Sequence, residues 1–263
     1  EDYLLTEKAI VAALDQLTPS GVLSVTRGLQ TPARDNIRLF ALFASALRRS
    51  GLDPASHLLQ GHNYLAATTV ASREPWSGTR MESAWESAEA LSMDIDYAPG
   101  ITVSQLTKRN IIAGPEDEQG SYLYHAAKAI TAGEAGEFYN SWVYNVRPPT
   151  DRRPYFHNFF RPESLPRLVE AYGSHWFQRI ELGVVVVVVT LIQVAVAGLV
   201  LILLPLAWVR PPAGADLSVG ETIAIGRPAG RLWTVLHFGA IGVGFMLLEM
   251  LLIQRLTRFL EIG

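Results

Sequence analysis

Thr26 and Arg27 lie at the end of a short apolar run and could form part of a ligand-binding mouth. Residues 22–26 are rich in β-branched side chains, which predicts a buried strand of a parallel sheet. Ligands of open α/β sheets bind beyond the carboxyl ends of the strands. We therefore predict that Thr26 and Arg27 bind substrate and that Tyr3 borders the same mouth. The alternative for Arg27, a solvated loop residue, stays open.

Several other chemistries are not indicated by the residues present. The chain has no cysteine, which excludes disulfides, thiolate nucleophiles and cysteine metal sites. His57, His62 and His125 are followed by no His, Asp or Glu three or four residues later, so we predict no metal site. Ser24 and Ser45 do not lie in a Gly-x-Ser-x-Gly motif, and nothing supports a hydrolase triad.

Residues 142–160 combine aromatic side chains with arginines and prolines. Such interleaving occurs in proteins that bind single-stranded nucleic acid. It is also typical of segments at the membrane interface or of segments that dock on a domain. With 22 Lys and Arg against 25 Asp and Glu, the chain is not basic enough to favour nucleic acid. We therefore predict the interfacial or docking role and no nucleic-acid partner.

The elements that must position the mouth can be read from periodicity. Thr6 is placed to cap a first helix whose apolar residues Ile10, Ala13, Leu14 and Leu17 share one face. Further helices are predicted over residues 33–49, which Gly51 would end, and over residues 77–91. Further strands are predicted over residues 57–60, 65–72 and 93–97, with a turn at residues 61–63. This order predicts an α/β fold: the C-terminal half of a Rossmann-like doubly wound sheet, closed by an antiparallel edge hairpin.

The C-terminal end predicts a membrane domain. Residues 182–209 carry no charge, and residues 232–253 form a second apolar run. A helix rises ~1.5 Å per residue and the hydrocarbon layer is ~30 Å thick, so each run is long enough to span it. We predict a transmembrane helical hairpin. The predicted domains are residues 1–100, a connector over residues 101–179, and the membrane domain over residues 180–263.

Two polar residues fall inside the second run. His237 and Glu249 lie 12 positions apart in the sequence, too far for direct pairing along one helix. A charged group in lipid costs a few kcal/mol and is usually paired, neutralised or functional. For Glu249 two interpretations stay open: a carboxylate that serves helix packing, or one that serves proton or substrate movement.

Six short segments resemble one known family. They are EDYLLTE at residues 1–7 with LTPSGVLSVT at 17–26, VRPPTD with RPYF between residues 146 and 156, and GFMLLE with QR between residues 244 and 255. Together they resemble spermidine-synthase-like proteins of the multi-pass bacterial branch, aminopropyltransferase relatives with the class I S-adenosylmethionine methyltransferase fold. The chain departs from the family pattern at Leu5, Arg152 and Glu261.

The resemblance implies a function for a longer protein. That protein would be a membrane-bound aminopropyltransferase or methyltransferase using S-adenosylmethionine or decarboxylated S-adenosylmethionine, with a small amine as substrate. In the family the glycine-rich cofactor turn and the catalytic aspartate precede the segment matched here. The catalytic residues are therefore expected upstream of residue 1, and this chain, which begins without methionine, is expected to be an inactive fragment without bound cofactor.

The alternative is a non-catalytic multi-pass membrane protein, transporter-like or scaffolding, with a degenerate Rossmann-like soluble domain. In either case the expected partners are the lipid bilayer and further transmembrane helices of the same protein. Five arginines flank the predicted hairpin outside and three lie in its loop. By the positive-inside rule this places the soluble domain in the cytoplasm, and we expect the bacterial inner membrane as its location.

Overall fold

The computed structural model describes residues 3–30, 32–110, 121–166, 169, 173, 182–208 and 231–261. The chain divides into two compact units, residues 1–198 and residues 199–263. Parts of the predicted connector, the end of the first predicted span at residue 209 and the loop between the spans lie outside the described residues.

The first unit contains the predicted helices and strands in the predicted order, together with three helices that the sequence patterns did not predict, over residues 54–57, 122–131 and 135–141. Thr6 caps the first helix as predicted, its Oγ1 accepting a hydrogen bond from the Ala9 amide, and Gly51, with φ +76°, follows the second helix. The elements are α1 (Glu7–Asp15), β1 (Val22–Gly28), α2 (Asp35–Arg49), α3 (Pro54–His57), β2 (Leu58–His62), β3 (Ala66–Ser72), α4 (Gly78–Ala90), β4 (Asp94–Tyr97), α5 (Tyr122–Thr131) and α6 (Ala135–Ser141).

The four strands form one sheet in the order β1-β3-β2-β4, and every neighbouring pair is antiparallel. Because β1 and β2 both pair antiparallel with β3, they run in the same direction. The prediction that β1 is a buried strand of a parallel sheet is wrong. Within the described residues β1 lies at the sheet edge, pairs only with β3, and has alternate residues exposed.

The turn after β2 explains this arrangement. Asn63 Oδ1 accepts hydrogen bonds from the amides of Leu65 and Ala66, which reverses the chain directly into β3. β3 then occupies the position between β2 and β1, where a parallel neighbour was expected. His62, predicted to lie in the turn, is instead the last residue of β2, and His57 ends α3.

One face of the sheet carries the hydrophobic core. α1, α2 and α5 cover this face, and α2 is buried along most of its length. Val146, Phe156 and Phe159 join the same core, so the aromatic segment packs on the α/β domain. The core is centred on large side chains that are at most 1% exposed: Leu14, Ile37, Phe40, Phe43, Leu58, Leu123 and Ile130.

The opposite face is covered less completely. There α4 packs over a small cluster of Leu59, Ile95 and Ala98, and no residue of α4 is fully buried. Consequently a cleft remains between α4 and the sheet.

Two long helices end the described chain, α7 (Leu182–Trp208) and α8 (Arg231–Glu261). α8 contains an 18-residue stretch, Leu236–Ile253, with mean hydropathy 2.0 and no buried part. Among the residues described, this is the one helix long and apolar enough to cross a membrane, and α7 contributes only the shorter apolar stretch Val186–Leu201. The two-span hairpin therefore stays a prediction.

Candidate functional site

The carboxyl ends of β1 and β2 lie at the same edge of the sheet because the two strands run in the same direction. The register places Arg27 opposite Ala67, Ala67 opposite His62, and His62 opposite Asp94. We call this row the carboxyl edge. It brings Arg27 from the predicted mouth into line with two titratable residues of other strands.

Thr26 and Arg27 point to opposite faces of the sheet, because side chains alternate along a strand. The hydroxyl of Thr26 lies 2.8 Å from that of Thr68, on the face covered by α4. The guanidinium of Arg27 lies 5.4 Å from the ring centroid of Phe156, on the face covered by α2. The two residues therefore do not form one mouth.

Tyr3 lies in a short 3₁₀ turn before α1 and is 49% exposed. It is placed near the segment of residues 146–159, which we call the strap. The Glu7 amide donates a hydrogen bond to the carbonyl of Pro149 in the strap, while Arg27 contacts Phe156 at its other end. The strap thus connects the regions of Tyr3 and Arg27.

Arg38 of α2 fastens the strap. Its side chain is buried and donates hydrogen bonds to the carbonyls of Arg147 at 2.9 Å, Phe156 at 2.8 Å and Asn158 at 2.8 Å. A planar guanidinium suits several carbonyls at once, and each charge-assisted bond is stronger than a neutral one. The strap is therefore held against α2, with Phe156 beside Arg27 near the carboxyl end of β1.

A buried ion pair occupies the carboxyl end of β2. His62 Nδ1 lies 2.7 Å from Asp96 Oδ2, and the two side chains are 4% and 3% exposed. His62 Nε2 lies 3.2 Å from the carbonyl oxygen of Asn110, and the hydroxyl of Ser121 donates to Asp96 Oδ1 at 2.8 Å. Both imidazole nitrogens face acceptors and both carboxylate oxygens face donors.

Asp94 extends this cluster. Its Oδ2 accepts hydrogen bonds from the backbone amide of Asn110 at 2.5 Å and from the Asn110 side chain at 3.2 Å. Its Oδ1 is buried and finds no hydrogen-bond partner among the described residues. A register shift between β2 and β4 at Gln60 and Gly61 leaves Asp96 without a cross-strand partner, as in a β-bulge.

The pKa values follow from burial and partners. Burial alone would lower the pKa of His62, but the hydrogen bond and the charge of Asp96 outweigh it, so the pKa of His62 is raised. Burial raises the pKa of Asp96, opposed by its bonds to His62 and Ser121. Burial would likewise raise the pKa of Asp94, but hydrogen bonds from Thr107 and Asn110 lower it overall.

The space at the ion pair is small. A cavity of about 20 Å³ is lined by His62, Asp96, Lys108, Asn110 and Ser121 together with three neighbours. Such a volume holds about one water molecule. The cluster therefore cannot hold an organic substrate in this conformation, and it fastens Asn110 across the end of β2.

Sequence spacing did not indicate this cluster, since His62 and Asp96 are separated by 34 positions. A signal was present in the Asp-Ile-Asp alternation of residues 94–96, because carboxylates in an otherwise apolar strand require partners. Within the described residues, no group of three or more His, Asp and Glu could hold a metal ion.

The intramembrane candidates both lie on α8. Glu249 falls within the stretch Leu236–Ile253, four residues before its end, and His237 lies near its start. Both side chains are exposed in the isolated chain. The two residues thus lie on one helix, 12 positions apart.

Comparison of the chain with protein families, with curated proteins and with solved structures finds no match.

Proposed function

We propose that this chain is the C-terminal part of a membrane-bound transferase of the spermidine-synthase-like type. The full protein would transfer an aminopropyl or methyl group from decarboxylated S-adenosylmethionine or S-adenosylmethionine to a small amine. The sequence resemblance suggests this assignment. The observation that carries it is the order β1-α2-α3-β2, in which two strands of the same direction are joined by a helical connection whose main helix, α2, covers one face of the sheet.

A second feature supports a missing half. The outer edge of β1, a seven-residue strand, has no partner strand among the described residues. Unpaired strand edges recruit further strands. The proposed cofactor-binding half would add its strands to this edge, next to Arg27.

The cavity at the carboxyl edge is too small for the cofactor. Phe156 of the strap packs against Arg27 near the end of β1, and the cavity at β2 is about 20 Å³, far below the roughly 300–1,000 Å³ of small-molecule sites. No glycine-rich turn follows β1 or β2. We therefore assign no chemical step to Tyr3, Thr26 or Arg27 and place the catalytic residues in the preceding half.

The test compares this chain with the longer gene product. Both are reconstituted in lipid nanodiscs and titrated calorimetrically with S-adenosylmethionine and with its decarboxylated form. We expect no saturable binding to this chain, and micromolar binding with transfer to an amine for the longer protein. Micromolar binding by this chain alone would show that its site is built differently.

One observation favours the alternative, a non-catalytic membrane protein with a degenerate soluble domain. The chain's own residues lie near the carboxyl ends of both like-directed strands: the Phe156 ring packs against Arg27 of β1, and the Asn110 backbone carbonyl lies 3.2 Å from His62 Nε2 of β2. A longer protein that folds but neither binds the cofactors nor transfers a group would establish this alternative. In both proposals α8 anchors the chain in the bacterial inner membrane, with the α/β domain in the cytoplasm and with further transmembrane helices beside α7 and α8.

A further inference from the structure

The cleft between α4 and the sheet is large enough for a small molecule. Its volume is about 610 Å³, within the roughly 300–1,000 Å³ of ligand sites. The sheet forms its floor with Leu59, Val70 and Ile95, and α4 forms its other wall. It lies on the face opposite the strap and the ion pair.

The residues of α4 explain why the cleft is not filled. Ser83, Ala84, Ser87 and Ala88 line the cleft at helical spacing. Ala84 and Ala88 pack against the cluster of Leu59 and Ile95, and these small side chains leave space beside them. Core positions normally carry larger side chains that pack to high density. The arrangement leaves an apolar space with a few hydroxyl groups along one wall.

Charge is distributed unevenly around the cleft. Glu82, Glu86 and Glu89 are exposed and none of them lines it. Arg80 is the one charged residue among the described residues that line it. The charge in the lining of the cleft is therefore positive, which favours an anionic group near Arg80 over a cationic one.

Arg80 is held in place for such a role. Its guanidinium lies 4.7 Å from the ring centroid of Trp76 and donates hydrogen bonds to the Ser72 hydroxyl at 2.9 Å and the Ser20 carbonyl at 3.1 Å. Its Nη1 also donates to the Glu74 carbonyl at 3.3 Å and lies 3.7 Å from Glu74 Oε2, an exposed carboxylate outside the cleft, with which a ligand carboxylate competes for Arg80. Arg80 also lies in the first turn of α4, which has no acidic residue, and the side chain of Ser77 does not cap it. The helix dipole adds positive potential at the same end.

We propose that this cleft binds a fatty acid, with the acyl chain along Leu59, Val70 and Ile95 and the carboxylate at Arg80. The proposal does not depend on transferase activity. A cleft of this volume suits one acyl chain, and the membrane that α8 is long enough to enter supplies such molecules.

The test uses the intact chain in zwitterionic nanodiscs and a 12-carbon fatty acid with a photoreactive diazirine at its tail. Crosslinked peptides are mapped by mass spectrometry, with dodecanoate or dodecylammonium as competitor. We expect crosslinks within residues 59–95 and competition by dodecanoate at about tenfold lower concentration than by dodecylammonium. Crosslinks confined to α7 and α8, or equal competition by the two amphiphiles, would overturn the proposal.

Two pairs of variants separate the cleft from the rest of the surface. Ala84→Phe fills the cleft and should reduce the crosslink yield about tenfold, whereas Ala90→Phe, on the exposed side of α4, should not. Ser87→Leu, at an exposed lining residue, repeats the test if Ala84→Phe does not fold. Unchanged crosslink yields in both filling variants contradict the proposal. The same result is expected if the cleft is the docking site for another helix of a longer protein.

The second pair addresses the carboxylate. Arg80→Gln should weaken competition by dodecanoate about tenfold and leave competition by dodecanol unchanged. Arg73→Gln removes the same charge from a nearby exposed position outside the cleft and should alter neither. Equal effects of the two substitutions would assign the preference to general surface charge and reject Arg80 as the anchor.

Discussion

The imidazole of His62 lies between two acceptors, Asp96 Oδ2 and the Asn110 carbonyl. One proton lies between Nδ1 and Asp96 Oδ2 and one on Nε2, and the raised pKa of His62 favours the charged form of the pair, an imidazolium beside a carboxylate. A buried ion pair is tolerated when its remaining lone pairs and protons have hydrogen-bond partners. Loss of one member of the pair leaves an uncompensated charge. The pair therefore makes the fold sensitive to protonation.

We predict that stability falls as the pH rises above neutrality. The pKa of His62 is raised in the folded chain, so its contribution is fully present below its ordinary value of about 6.5 and is lost as the pH passes the raised value. Thermal unfolding in nanodiscs between pH 6 and pH 9 measures this. His62→Gln should cost about 3–5 kcal/mol at pH 6 and flatten the profile.

His157→Gln provides a comparison, because it removes an imidazole that is 60% exposed and lies outside the His62–Asp96 pair. It controls for the general effect of losing an imidazole from the domain. If His62→Gln keeps the wild-type pH profile, the ion pair does not determine the pH dependence.

The strap is an element without regular secondary structure over most of its length, yet it completes the core. Phe156 is fully buried, and the three carbonyls bonded to Arg38 fix the path of the backbone around it. Backbone carbonyls that leave water must be paired, and Arg38 supplies the donors that helix or sheet would otherwise provide. The strap is therefore part of the α/β domain.

We predict that Phe156→Ala destabilises the chain by about 3–5 kcal/mol, because it removes a large side chain from the buried core. Tyr64→Ala removes an aromatic ring that is 69% exposed and should have a much smaller effect. Urea unfolding followed by tryptophan fluorescence compares the two. Similar losses would mean that the strap does not contribute to the core as its burial indicates.

The whole molecule joins a domain with its own core to an apolar helix whose stretch Leu236–Ile253 is unburied in the chain. An uncovered apolar surface of this length requires lipid, detergent or partner helices. We expect the intact chain to stay with membranes after a salt wash. Its recovery in a detergent-free supernatant would contradict a spanning helix.

Orientation can be tested with single cysteines, because the chain has none of its own. Ser104 is exposed on the α/β domain, whereas Ser164 is only 3% exposed and unsuitable. Ser218, in the loop between the helices, lies outside the described residues. We predict that a membrane-impermeant reagent labels Ser218→Cys from outside the cell and Ser104→Cys only after lysis; the reverse pattern would invert the topology.

The sequence by itself determined the strands and the helices α1, α2 and α4 to within a few residues, but it did not indicate α3, α5 or α6. The predicted strand at residues 65–72 is β3 (Ala66–Ser72), and the predicted helix at residues 77–91 contains α4 (Gly78–Ala90). Periodicity, Thr6 and Gly51 are local signals, and they act through backbone hydrogen bonds and caps within a few residues. The long apolar stretch of α8 is likewise a signal that can be read from neighbouring residues alone.

Only the tertiary structure decided how the elements pair and what their side chains meet. Strand order placed β3 between β2 and β1, moved β1 to the edge and put Thr26 and Arg27 on separate faces. It also joined His62 to Asp96 across 34 positions. These outcomes depend on contacts between distant segments, whose free energy is a property of the packed core and cannot be read from the local pattern of either segment.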